Sequence, residues 1–284
     1  MDKYTIKQPN IDFIFLNDPR NMKGSRKKRL VYDIKNEEKA MFKYEEYNCT
    51  ESCSEKISYE ISKLLGYDCA KIELAKDEYG TLGILNYIFL DLRKEEHSDA
   101  VSYLNPNGKS IKEFYTIENI EKCLNDIDKN LFKDFLKIMV FDALVGETDR
   151  HEENWGILLK NGKYKISPLY DNGCNLLREF KNEKLLNDYS EGKKDFNAYI
   201  NRSKSLIYNP KSGKKYTHFE LIKKLKETNQ VEIEREINKL NKITNEEIEE
   251  IVNKIPNELM TDIHKQFIVK YLIIRKQKLL KIIE

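Results

Sequence analysis

FDALVGETDRHEENWGILLKNGKYKISPLYDNGCN, residues 141–175, is the stretch that decides the fold. Its apolar start predicts the end of a buried helix, after which a polar loop carries Asp149 and Asn154. Asn161-Gly162 predicts a tight hairpin, because this dipeptide tolerates the positive φ angles of a type I′ turn. The chain then reaches Asp171. A hairpin brings its two ends together, so we expect Asn154 and Asp171 to lie side by side.

The three polar residues of this stretch suit phosphoryl transfer. Carboxylate and amide oxygens are hard ligands of the kind that Mg²⁺ takes together with substrate phosphates, which points to Asn154 and Asp171 as metal ligands. Asp149 would face the metal-bound phosphates, where it could orient a hydroxyl nucleophile and accept its proton. Taken singly, each residue could equally be a turn former or a helix cap, and only the combination favours a site.

The order of these residues resembles the catalytic and metal loops of protein kinases, Asp-x-x-x-x-Asn followed by a short hairpin and an Asp. Two motifs are similar to those of HipA-like kinases: T-D-R-H-x-x-N (148–154) and P-L-Y-D-N-G (168–173). The D-R-H-x-x-N part is also similar to the catalytic loop of the related phosphatidylinositol kinases. The resemblance implies ATP and Mg²⁺ as cofactors. It also implies a serine/threonine protein kinase, an activity found in this family in growth-arrest toxins and in stand-alone kinases. Glu152-Glu153 departs from the pattern, since many HipA-like sequences carry a basic residue just before the Asn.

The first third of the chain predicts strands and one helix. Residues 28–33 and 39–44 are β-prone runs that we expect to form a hairpin, and residues 69–74 and 82–90 predict two further strands. Between the pairs, Thr50 and Ser54 offer N-cap side chains to a helix that runs to about Leu65 and ends at Gly66.

Kinases hold the α- and β-phosphates of ATP with a strand lysine that pairs with a helix glutamate. The resemblance assigns these roles to Lys43 and Glu55, and Glu60 is the alternative glutamate. Glu55 and Gly66 form an S-E-x(10)-G arrangement similar to the N-E-x(10)-G of HipA-like proteins. Lys43 could also be an ordinary strand-edge lysine.

A basic loop, residues 23–28, stands where a phosphate-covering loop would lie. Gly24, Ser25 and Arg26 could embrace phosphates through backbone N–H groups and cations. Ser25 is a candidate autophosphorylation site by resemblance to some HipA-like proteins. The loop could instead be a solvated basic segment or a nucleic-acid contact.

Other residues of the predicted site are assigned by analogy or left open. Adenine would rest against the strand and linker at Ile88 and Leu90 through backbone groups. Trp155 is expected to pack in the core rather than against adenine. His151 is expected to hold its loop through hydrogen bonds, and Arg150 could bind either a phosphate or a carboxylate.

The second part of the chain predicts helices at 117–127, at 130–145 and from His218 almost to the end, where residues 258–283 are amphipathic. We therefore expect an α+β, two-lobed protein-kinase-like fold. Residues 1–93 would form a small β-rich N-lobe with one helix, and residues 94–284 a larger, mostly helical C-lobe. HipA proteins carry an additional N-terminal subdomain, for which there is no room before Gly24, so the sequence resembles a shorter stand-alone member.

Composition limits the choice of partners. Fifty basic and forty-eight acidic residues in 284 leave a net charge of +2, which gives no general reason to expect nucleic acid or an anionic membrane as a partner. No apolar run is long enough to span a bilayer and the first residues do not resemble a signal peptide, so a cytoplasmic location is expected. Five cysteines at irregular spacing indicate reduced thiols.

Two other functions remain open at this stage. One is a kinase that acts on a lipid headgroup or another small molecule. The other is a pseudokinase that binds nucleotide, or only a partner protein, without phosphate transfer. The expected partners of the favoured function are ATP and a protein substrate whose identity the sequence does not indicate.

Overall fold

The computed structural model describes residues 2–16, 27–46, 49–91, 94–105, 107–180 and 183–284. Its first lobe is built on an antiparallel sheet with the strand order β1-β2-β3-β5-β4. The strands are β1 (Phe13–Phe15), β2 (Lys28–Asp33), β3 (Glu38–Tyr44), β4 (Ile72–Lys76) and β5 (Leu82–Tyr87). The predicted hairpin is confirmed as β2 and β3, joined by a turn at residues 34–37.

One helix, α1 (Glu51–Leu65), lies between β3 and β4, and Gly66 ends it in the left-handed conformation, as predicted. The predicted side-chain caps are wrong. The Thr50 side chain makes no capping hydrogen bond, and its hydroxyl lies 3.5 Å from the Arg178 carbonyl oxygen. Ser54, inside the helix, donates to the Asn175 carbonyl at 3.3 Å. Both hydroxyls therefore join α1 to a segment more than a hundred residues away.

The two faces of the five-stranded sheet have different partners. One face carries a small aromatic and aliphatic core of its own: Phe13, Val31, Ala40, Phe42, Ala75, Leu85 and Tyr87. The other face presents Ile72, Leu74 and Ile84 to α1 and joins the main core. The alternation of inward and outward side chains along each strand produces this division.

The second lobe is mostly helical. Its elements are β6 (Glu95–Asp99), α2 (Val101–Leu104), α3 (Ile111–Phe114), α4 (Ile117–Ile127), α5 (Leu131–Val145), β7 (Gly156–Lys160), β8 (Lys163–Ile166), α6 (Glu183–Ser190), α7 (Phe196–Arg202), β9 (Lys204–Tyr208), β10 (Lys215–Thr217), α8 (His218–Thr228), α9 (Gln230–Asn238), a 3₁₀ turn (Lys239–Lys242), α10 (Asn245–Asn253) and α11 (Asp262–Leu280). The structure thus contains the helices predicted at 117–127 and 130–145. It also contains the hairpin predicted at Asn161-Gly162, formed by β7 and β8. Strand β6, which was not predicted, pairs with β7 and extends the hairpin to three strands.

Helix α5 is the central helix of this lobe, and nearly all of its side chains are buried. The only tryptophan, Trp155, packs its ring 4.5 Å from that of Phe135 on α5. Its indole N–H donates to the Tyr115 hydroxyl at 2.9 Å. Trp155 is therefore a core residue, as expected.

The N-terminal segment connects the two lobes. The amide of Tyr4 donates to the carbonyl of Lys254, just after α10, at 2.7 Å. Lys7 forms a bridge with Ala75 in β4, and Lys76 pairs with Glu258 at 2.8 Å.

Within the described residues, no helix combines the length and apolar character that a membrane span needs.

Gly146 ends α5 with φ of 76°, and a Cβ placed there would overlap the hydroxyl of Tyr271. Gly66 has a similar φ of 67° but open space around it. We expect Gly66→Ala to lower the free energy of unfolding by about 1 kcal/mol, the conformational cost alone. Gly146→Ala should cost about 2–4 kcal/mol, because overpacking adds to that cost. Urea unfolding measures both, and equal losses would contradict the packing argument.

Candidate active site

A largely buried lysine joins the two lobes. The Lys43 ammonium on β3 lies 2.7 Å from a Glu55 carboxylate oxygen on α1 and 2.6 Å from Asp171 Oδ1. The alternative glutamate, Glu60, pairs instead with Lys56 at 2.9 Å and Lys63 at 2.6 Å. Burial alone would lower the pKa of Lys43, but its two carboxylate partners outweigh this effect and raise it. Lys43 is therefore a fixed positive charge between the lobes.

A second cation faces the same carboxylate. Lys28 lies directly opposite Lys43 in the β2–β3 pair. Burial lowers the pKa of Lys28, while the Asp171 carboxylate acts in the opposite direction. The proposed phosphate-loop residues Gly24, Ser25 and Arg26 lie outside the described residues, and Lys28 is the first residue of the strand that follows them.

The buried guanidinium of Arg150 organises both loops that follow α5. It pairs with the Asp142 carboxylate of α5, with Nη2 2.9 Å from Oδ1. Its Nη1 donates to the carbonyl oxygens of Asn154 at 3.0 Å and Tyr170 at 2.8 Å. Its Nη2 also donates to Asn172 Oδ1 at 2.5 Å. Of the two partners left open by the sequence, Arg150 therefore takes the carboxylate.

The loop after α5 positions Asp149 and Asn154. The side-chain amide of Asn154 donates to the Asp149 carbonyl at 2.8 Å. This leaves the Asn154 side-chain oxygen as the atom that could bind a cation. Arg150 brings the main chain of Asn154 next to that of Tyr170, which precedes Asp171. His151 accepts from the Glu153 amide at 3.2 Å, a contact within the loop.

Backbone strain concentrates just after the β7–β8 hairpin. Asp171 has φ of 55°, Leu176 of 49° and Leu177 of 61°. Non-glycine residues in the left-handed region cost about 1–3 kcal/mol and persist where the surroundings fix them. Asp171 is held by Lys43, and both leucines are buried in the main core. The segment from Asp171 to Leu177 is therefore fixed at both ends.

Two neutral imidazoles support these segments from the C-lobe. His218 at the start of α8 contacts the Glu147 carbonyl through Nε2 at 2.7 Å, and its Nδ1 lies 3.1 Å from Ser203 Oγ. His264 of α11 contacts the Leu177 carbonyl at 3.1 Å. Since a carbonyl only accepts, both imidazoles donate through Nε2. Burial lowers the pKa of His218 to about 3 and of His264 to about 4.

The linker between the lobes meets the loop that carries Asp171 through aromatic rings. Phe89 stacks on Tyr170 with ring centroids 5.8 Å apart. The amide of Ile88 donates to the Lys39 carbonyl at 3.1 Å, so this N–H is already used within the sheet. Leu90 is half-buried. Of the two residues expected near adenine, Ile88 can therefore offer only its carbonyl.

Sequence reasoning missed several residues that hold the site. Glu147, Asn172 and Asn175 are all buried within the two loops, and His218 and His264 support them from distant helices. The only signal for the first three is their proximity to the motif. Nothing in the sequence connects the two histidines to it.

The β-rich lobe, the helical lobe and the Lys–Glu–Asp cluster between them define a kinase-like fold. The crystal structure of a proinflammatory kinase, CtkA of Helicobacter pylori, matches with a TM-score of 0.77 and 23% identity, over 94% of this chain and 93% of that one. HipA of Shewanella oneidensis MR-1, solved in a toxin–antitoxin complex with HipB and operator DNA, matches with a TM-score of 0.55 and 14% identity, over 95% of this chain and 66% of that one. No curated protein sequence matches the chain.

Residues 21–261 match the family described as HipA-like C-terminal domain. Since this match spans most of the chain, the protein belongs to that family. The predicted two-lobed kinase-like fold and the predicted HipA-like relationship are both confirmed.

Arg150→Met would leave the Asp142 carboxylate buried without its cation. We expect it to lower the free energy of unfolding by about 3–5 kcal/mol, the usual cost of breaking a buried ion pair. Arg29→Met is the control, because Arg29 pairs with Glu78 at 2.8 Å on the surface and such pairs contribute about 1 kcal/mol or less. If denaturant unfolding gave the two variants similar losses, Arg150 would not have the central role assigned to it.

Acid should destabilise the protein through its buried histidines. In the unfolded chain a histidine binds a proton near pH 6.5, whereas the folded His264 does so only at about 4. Its contribution to stability is therefore present above pH 6.5 and is lost as the pH falls towards the folded pKa. Between pH 7.5 and 5, His264→Gln should lose about 2 kcal/mol less unfolding free energy than the parent. Equal losses in urea titrations would show that His264 is charged in the folded state.

Proposed function

We propose that this protein is an ATP- and Mg²⁺-dependent phosphotransferase that transfers the γ-phosphate of ATP to a serine or threonine of a protein. The observation that carries the proposal is the Lys43 ammonium, 2.7 Å from Glu55 and 2.6 Å from Asp171. Active protein kinases require an ion pair between a strand lysine and a helix glutamate, with a metal-binding aspartate in the same cleft, and these three residue types meet here.

In this proposal each residue of the cleft has one role. Asp149 orients the acceptor hydroxyl and accepts its proton. Lys43 holds the α- and β-phosphates and is itself held by Glu55. Residues 24–26 cover the phosphates, and residues 88 and 90 contact adenine. The boundary between the lobes falls near residue 93.

The donor atoms of the cleft fit Mg²⁺. Carboxylate oxygens of Glu51, Glu55 and Asp171 lie within 4.8 Å of one another. We assign the metal to Asp171 and Asn154, which offer a carboxylate and an amide oxygen, the hard ligands that Mg²⁺ prefers. A Mg²⁺ held by these residues would neutralise negative charge on the phosphates.

Membership of the HipA-like family and the shared fold with a kinase support a protein acceptor. The net charge of +2 gives no general reason to expect nucleic acid as a partner. The DNA and HipB in the Shewanella HipA complex are partners of that protein. We therefore propose ATP and a protein substrate as the partners of this chain.

Intact-protein mass spectrometry after incubation with ATP and Mg²⁺ tests the proposal. We expect the parent protein to gain one or more phosphates, on itself or on an added protein substrate. Asp149→Ala should bind ATP but not transfer phosphate, because only the acceptor hydroxyl loses its base. Asp171→Ala should lose metal-dependent ATP binding as well. The matched control is Asp134→Ala, since Asp134 pairs with Lys137 on the surface of α5.

The outcomes separate the alternatives. Transfer by both site variants at the parent rate would contradict the assignment of the site. Phosphate found only on small hydroxyl acceptors would favour a small-molecule kinase. Nucleotide-dependent thermal stabilisation without transfer to any acceptor would favour a pseudokinase.

A further inference from the structure

Glu147 is a buried carboxylate that touches the main chain of the proposed base. It follows Gly146 directly and is 1% exposed. Its Oε1 accepts from the Asp149 amide at 2.8 Å, and its Oε2 accepts from the side-chain amide of Asn175 at 3.2 Å. Its own carbonyl accepts from His218. Its own amide donates to the Asp142 carbonyl at 3.0 Å, so Glu147 is held from α5, from α8 and from both loops of the site.

Asn175 connects this carboxylate to α1 and to the metal loop. Its Nδ2 lies 2.8 Å from the Asn172 carbonyl and 3.0 Å from Ser58 Oγ on α1. Its carbonyl accepts from Ser54, also on α1. The helix that carries Glu55 is therefore linked to the amide of Asp149 through two buried side chains.

A carboxylate at position 147 is costly to bury. Burial raises the pKa of Glu147 to about 8, although the nearby Arg150 guanidinium acts to lower it. A glutamine would avoid this cost and would still offer one oxygen to the Asp149 amide. Glutamine keeps the length with which the Glu147 side chain reaches the Asp149 amide, whereas aspartate is one methylene shorter.

We propose that Glu147 and Asn175 are positioning residues that fix the main chain of Asp149 for transfer and couple it to α1. The inference rests on the proposed function, in which Asp149 orients the acceptor hydroxyl. Misplacement of a catalytic group by about 1 Å can reduce the rate by about 10²-fold. Glu147 touches neither the phosphates nor the metal ligands in this assignment, so its loss should reduce kcat without weakening ATP binding.

Three substitutions at position 147 separate the length of the side chain from its carboxyl group. Glu147→Ala removes both acceptors, Glu147→Asp keeps the carboxyl group but is one methylene shorter, and Glu147→Gln keeps the length. In the Gln variant the side-chain oxygen can still accept from the Asp149 amide, and the Asn175 Nδ2 keeps its contacts with the Asn172 carbonyl and Ser58 Oγ. Glu153→Ala, an exposed change on the same loop, is the control.

We expect kcat to fall by about 10²-fold in the Ala and Asp variants, with the KM for ATP unchanged. The Gln variant and the control should stay close to the parent. Retention of activity in the Asp variant with loss in the Gln variant would show that the carboxyl group matters rather than the length of the side chain, and would overturn the proposal. So would a parallel loss of kcat and of ATP binding, which a merely structural role would produce.

Hydrogen exchange of the Asp149 amide tests the same inference without reference to activity. Exchange at this amide should be faster in Glu147→Ala and Glu147→Asp than in the parent, and unchanged in Glu147→Gln. Exchange within the β7–β8 hairpin should not change in any of them. Unchanged exchange at Asp149 would overturn the positioning role even if the parent protein transfers phosphate. If the Ala and Asp variants exchange faster than the parent but the parent transfers no phosphate, the positioning role stands and only the proposed function is refuted.

Discussion

The buried guanidinium of Arg150 is the constraint on which the rest of the site depends. A charged group in the core must find acceptors for its N–H donors, because an unpaired buried charge costs several kcal/mol. Here the acceptors come from α5, from the end of the loop after it and from both sides of Asp171. The hydrogen bonds that this one guanidinium requires therefore bring the start and the end of the β7–β8 hairpin together. The main chain at Asn154 therefore lies close in space to the main chain at Asp171, because both segments bind the same guanidinium.

The position of α1 depends on the same segment. Serine hydroxyls on the buried face of α1 contact Asn175. Arg178 pairs with a carboxylate in the first turn of the helix, and Glu55 accepts from the Asn172 amide at 3.3 Å. These contacts all lie within eight residues of Asp171. On its other side the helix packs on apolar side chains of the sheet, and Lys56 donates to the Ile72 carbonyl at 2.9 Å. The contact between Lys43 and Glu55 is therefore set as much by the loop after the hairpin as by the strand that carries the lysine.

The sequence predicted those features that are decided locally. Helix periodicity, the glycine after α1 and the Asn161-Gly162 turn each depend on neighbouring residues, so they could be read directly. Strand β6 could not, because its sequence EEHSD has no alternation and becomes a strand only by pairing with the exposed edge of β7. The contact of the Thr50 hydroxyl could not be predicted either, because its partner, Arg178, is far away in the sequence. The roles of Glu147 and Asn175 require the loops to be in place, and composition near a motif does not show which polar residue will be buried.

Lys43 and Asp171 neutralise each other in the structure, and this has a consequence for the proposed reaction. Each is expected to bind an opposite charge on the nucleotide side, the lysine a phosphate and the aspartate a cation. Glu55 stays with Lys43 throughout, because it is buried and holds no other cation within contact distance among the described residues. An anion that drew Lys43 away from Asp171 would leave the aspartate without this cation, whereas a metal-bound phosphate brings a cation for Asp171 together with an anion for Lys43. The cleft therefore favours a metal-bound polyphosphate over the free anion. Lys28, opposite Lys43 on the neighbouring strand, strengthens the preference for an anion of high charge.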